Sequence, residues 1–87
     1  MSAYIVYSLT ARVYGKEGIM FVDYFKTPDY HKALETLDDM LTEANANNYG
    51  FAGICEVVMT KTQYDSNDKA VKSNYYKVRV NREEGYL

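Results

Sequence analysis

Only one stretch of the chain repeats its apolar residues at helical spacing, and that limits the fold more than any other feature. Tyr30, Ala33, Leu34, Leu37, Met40, Leu41 and Ala44 step by three and four, so a single amphipathic helix is expected there. Thr27-Pro28-Asp29 supplies its start: threonine to cap the free amides, proline at the first helical position, and aspartate at the positive end of the dipole. Asn45, Asn47, Asn48 and Gly50 supply its end.

The remaining regular pattern has period two. From Tyr4 to Tyr14, Ile5, Tyr7, Leu9, Ala11 and Val13 alternate with Ser8, Thr10 and Arg12, as a half-buried strand requires. Gly15-Lys16-Glu17-Gly18 is a turn, and Ile19 to Lys26 folds back as a second strand. Pairing Tyr14 with Ile19 places Met20, Val22 and Tyr24 inward and leaves Arg12, Tyr14, Phe21 and Phe25 outward around Asp23. Phe51 to Tyr64 forms a third strand, with Cys55, Val57 and Met59 opposite Glu56, Thr60 and Thr62. Asp65 to Ser73 is a polar loop. Asn74 to Arg82 forms a fourth strand, with Tyr76, Val78 and Val80 inward and Lys77, Arg79 and Asn81 outward, and residues 82–87 are expected to fray.

The expected fold is therefore a single α+β domain over residues 1–87, in the order ββαββ, with one helix packed on one face of a four-stranded, mainly antiparallel sheet. One helix covers about 10 Å, whereas four strands at about 4.8 Å span nearly twice that. The other sheet face has no cover from this chain. At 87 residues, a chain buries only about 60% of the surface its unfolded form exposes, so a second subunit or a bound target would add to a thin margin of stability.

Composition removes several function classes. The single Cys55 rules out an intramolecular disulfide and a cysteine-rich metal site, and fits a cytoplasmic setting. No apolar run approaches the roughly 18 residues of a membrane span, and the start of the sequence lacks the features of a secretory signal. A net charge of -2 offers phosphate backbones no general attraction. No metal or cofactor motif is present: Asp65-Ser66-Asn67-Asp68 lacks the glycine and glutamate of a calcium loop, and Gly50-Phe51-Ala52-Gly53 precedes a strand rather than a helix.

Catalysis has few candidates. His31, the only histidine, falls in the first helical turn, and Cys55 at an inward strand position behaves as a small hydrophobe. The two meet only if the helix start lies over the third strand. The helix carboxylates face solvent with no cleft implied. An enzyme is not expected.

Charge is the feature that stands out. Between Lys32 and Lys61 there are five acids (Glu35, Asp38, Asp39, Glu43, Glu56) and no base, whereas Lys69 to Arg82 holds five bases and no acid. Glu35, Asp39 and Glu43 recur every four residues with Asp38 beside them. Like charges at that spacing repel, and the later ones face the negative end of the helix dipole. The stripe fits either a plain solvated face or a surface that meets a basic partner protein, such as one that ordinarily receives nucleic acid.

The outward strand positions Arg12, Phe21, Phe25, Tyr75, Lys77 and Arg79 mix cations with aromatic rings, and the expected use of that face is a face-to-face homodimer that hides the rings, with single-stranded nucleic acid as the alternative. A pocket between helix and sheet in a dimeric small-molecule enzyme is a third reading. In element order and charge segregation the chain resembles the small α+β proteins that phages and other mobile elements use to block host machinery. That resemblance implies an inhibitor or adaptor without catalytic residues or cofactor, and it assigns no residue a role.

Overall fold

The computed structural model describes residues 3–15 and 17–82, with Arg82 described by its backbone alone. Four strands, β1 (Tyr4–Gly15), β2 (Gly18–Thr27), β3 (Gly53–Tyr64) and β4 (Ala70–Arg82), and one helix, α1 (Tyr30–Asn45), follow the order ββαββ. The sheet runs β2-β1-β3-β4, and each neighbouring pair is antiparallel. The expected fraying of residues 82–87 concerns positions outside the described residues, except that the backbone of Arg82 pairs with Gly53.

β1 and β3 are the two inner strands, each paired on both edges. The odd residues Tyr7, Leu9, Ala11 and Val13 of β1 are buried on one face, beside Cys55 and Val57 of β3. α1 lies over that face, mainly above β1, β2 and β3, and contributes Ala33, Leu37, Met40 and Ala44. These four fall within one narrow helical arc. Small Ala11, Ala33 and Ala44 are fully buried where the helix packs on the sheet.

The helix starts two residues later than the capping residues suggest, with Asp29 and not Thr27 as its cap. Thr27 ends β2 and is buried, so it is Asp29 whose carboxylate accepts the amides of His31 (2.9 Å) and Lys32 (3.2 Å). Thr27 supports the cap from behind, its hydroxyl accepting the Asp29 amide at 3.1 Å. Beyond Asn45 the chain enters left-handed conformations at Asn47 (φ 58°) and Gly50 (φ 67°). The Asn47 side chain accepts the Phe51 amide at 2.9 Å, which turns Phe51 into the core.

Two strand expectations change. A bulge between Ala11 and Arg12 pairs Arg12 with Phe21 but Ala11 with Asp23, leaving Val22 as the extra residue. Every side chain after Val22 therefore changes face. Phe25 sits opposite Leu9 on the helix side and packs against the core, and Tyr24 sits opposite Thr10 on the open side. Asp23 also moves to the helix side, where it accepts the Tyr49 hydroxyl at 2.8 Å. Burial, and then that bond, push the Tyr49 phenol well above its ordinary value.

β4 begins at Ala70 rather than Asn74, so the connecting loop is 65–69. Asp65 organises it by accepting the Asn67 and Lys69 amides, and Asp68 (φ 64°) makes the turn. The first half of β4 is exposed on both faces, including Tyr76 on the helix side.

Candidate functional site

The register places the outward residues in rows across the open face. One row reads Phe21, Arg12, Glu56, Arg79; the next Tyr24, Thr10, Val58, Lys77; the next Lys26, Ser8, Thr60, Tyr75. Glu56, predicted to point outward, does so, yet its side chain has no exposed surface. The reason is its position between two arginines in register. Arg12 donates Nε (3.0 Å) and Nη2 (2.8 Å) to Oε1, and Arg79 donates Nε (3.2 Å) and Nη2 (2.7 Å) to Oε2. The Tyr14 hydroxyl donates to Oε1 at 2.6 Å, and the Lys77 ammonium lies 3.6 Å from Oε2.

A carboxylate with so many donors stays ionised although it is out of water. The Tyr14 hydroxyl contributes most and the two guanidiniums reinforce it against desolvation, so the Glu56 carboxyl falls to about 2. The same contact raises the Tyr14 phenol above its ordinary value, and the Glu56 bond raises Arg79. Two donors from each arginine fix the plane of each guanidinium. Three cations around one anion leave this cluster with a surplus of two positive charges.

Aromatic rings flank the cations. Phe21 is 66% exposed, Tyr24 61% and Tyr75 71%. The predicted set Arg12, Phe21, Tyr75, Lys77 and Arg79 thus shares one face, Phe25 leaves it, and Tyr24 joins it. Periodicity alone gave no sign of the exchange, because Phe21 to Phe25 carries bulky residues at both parities.

The helix carboxylates have the opposite environment. Glu35, Asp38 and Asp39 are exposed and Glu43 half-buried at the flank. Lys32 lies 3.8 Å from Glu35, and Glu43 accepts the Asn48 side-chain amide at 2.7 Å. Among the described residues no other ion pair reaches the stripe. No basic residue occupies the last turn.

His31 and Cys55 do not meet. Tyr30, beside His31, has its ring 5.5 Å from that of Tyr7. Cys55 pairs with Val13, six residues along β1 from Tyr7, or about 20 Å at strand rise. His31 is exposed, and burial raises the Cys55 thiol, which keeps it protonated. The broad surface depressions, one at the β1–β2 turn and one around Ala3–Tyr7 and Pro28, include neither residue.

Among the described residues no group of three or more His, Cys, Asp or Glu is placed to hold a metal ion, and no helix is long and apolar enough to cross a membrane. No family model, curated protein or solved structure matches the chain.

Proposed function

We propose that the chain is a small non-enzymatic protein-binding module, an inhibitor or adaptor, that presents Glu35, Asp38, Asp39 and Glu43 to a basic surface of a partner protein. The supporting observation is where the cations go. Arg12, Lys77 and Arg79 are drawn to Glu56 on the far side of the sheet, and among the described residues only Lys32, 3.8 Å from Glu35, forms an ion pair with the helix stripe. The unrelieved repulsion along α1 brings the helix no benefit of its own, whereas a basic partner surface would turn it into attraction and speed encounter. A partner surface that ordinarily receives nucleic acid has the required chemistry, and the separation of His31 from Cys55 supports a role without catalysis.

Replacing both Asp39 and Glu43 by lysine tests this. The wild type and the variant, shown equally folded by circular dichroism, are used to capture partners from the native cell, with nuclease treatment in parallel. The expected result is a protein retained by the wild type at low salt, released as salt rises, and lost with the variant. Equal retention by both removes the stripe from partner recognition.

A further inference from the structure

We propose that the open face of the sheet is a binding platform for single-stranded nucleic acid, independent of the acidic helix. It combines outward-facing cations with exposed rings on one face of the sheet. Strand rise sets successive rows about 7 Å apart, so Phe21, Tyr24 and Tyr75 stand on three rows, with Phe21 paired to Arg12, Tyr24 two residues from Lys26 along β2 and Tyr75 two residues from Lys77 along β4. Bases stack on such rings whatever their identity, while the phosphates between them meet positive charge.

Glu56 strengthens this arrangement. Its oxygens are saturated by Arg12, Tyr14 and Arg79 and its side chain has no exposed surface, so an approaching strand meets the guanidinium edges and not the carboxylate. Both guanidiniums are already fixed in plane, and little side-chain freedom is lost on binding. With Lys26, the three rows carry four cations against one anion. The net charge of -2 does not cancel this field. The helix carboxylates lie beyond the sheet, a separation of about 10 Å, against a screening length of about 8 Å at physiological salt.

Other occupants fit less well. A second copy packed face to face would oppose two positive patches with both Glu56 carboxylates already saturated. An acidic peptide would use the cations but leave the rings bare. A duplex keeps its bases stacked within itself, away from the rings.

Fluorescence anisotropy with a labelled 20-nucleotide single strand, as DNA and as RNA, tests the proposal at 50 and 200 mM salt. The annealed duplex and a polyglutamate peptide serve as competitors. Binding of the single strand should weaken as salt rises, with neither competitor displacing it efficiently. Phe21→Ala and Tyr75→Ala should each weaken binding about ten-fold, and Lys77→Ala should lower the salt slope by about one. Phe21 and Tyr75 are exposed, so thermal melts of those variants should match the wild type. No binding at 50 mM salt, equal competition by polyglutamate or duplex, or unchanged affinity in Phe21→Ala and Tyr75→Ala would each overturn the platform. So would a dimer in solution that Tyr75→Ala dissociates.

Discussion

Glu56 and Asp39 are both carboxylates at outward positions of regular elements, but they stand at opposite extremes. Glu56 is out of water and takes donors from Arg12, Tyr14, Arg79 and Lys77. Asp39 is exposed and flanked at four-residue spacing by Glu35 and Glu43. The difference lies in geometry across elements. A strand brings residues 44 and 23 positions away into line with Glu56, whereas a helix face is populated by near neighbours in sequence, and here those are acids. Asp29 stands between the two extremes, holding two backbone amides at the surface.

The widest gap should appear on removing charge at each end of this series. Glu56→Gln keeps the volume but leaves Arg12, Lys77 and Arg79 repelling one another. Breaking an enclosed ion pair costs about 3–5 kcal/mol, and the loss here should be about 2–3 because the freed guanidiniums can turn to water. Asp39→Asn should change stability by no more than about 0.5 kcal/mol. Urea melts at neutral pH measure both, and similar values for the two would remove the distinction.

Acid sharpens the same contrast. The folded Glu56 carboxyl titrates at about 2 against an ordinary 4.5. A depressed value of this kind contributes stability in full above the unfolded value and loses it as pH falls through the folded one. The stability difference between wild type and Glu56→Gln should therefore be constant above about pH 5 and shrink between there and pH 2. A difference that stays the same across that window would mean that Glu56 holds the face by shape and not by charge.

How much of this contrast the sequence discloses follows from the distances involved. The helix stripe is legible because spacing along one element is enough to place Glu35, Asp39 and Glu43 together. The ββαββ order is legible for the same reason, since each element carries its own period. The Glu56 cluster is not, although Arg12, Glu56 and Arg79 are all outward by alternation, because joining them requires the pairing register of three strands. The bulge at Val22 escapes for a related reason. It has no glycine to mark it, and the apolar residues on both sides of Asp23 satisfy either register. The early start of β4 escapes because Ala70 to Ser73 is exposed on both faces, so no alternation is imposed.

The middle of the series gives the next effect. Asp29→Ala removes the acceptor for the His31 and Lys32 amides and should cost about 1 kcal/mol. Asp29→Asn or Asp29→Ser should recover most of it, since either side chain can accept the same amides. A full loss in those two variants would assign the effect to charge at the helix start and not to the hydrogen bonds.

The smallest effect carries the opposite sign. Asp39→Lys exchanges two repulsions, with Glu35 and Glu43, for two attractions at four-residue spacing, each worth about 0.2–0.5 kcal/mol. The helix should therefore gain about 0.8 kcal/mol, the low end of those four contributions, in a urea melt at low salt, and the gain should fade as salt rises. The same substitution should weaken capture of a basic partner, so one change would raise stability and lower binding together. A variant that is less stable would show that the stripe is already balanced within the molecule, and one that is more stable with binding intact would show that the repulsion serves no partner.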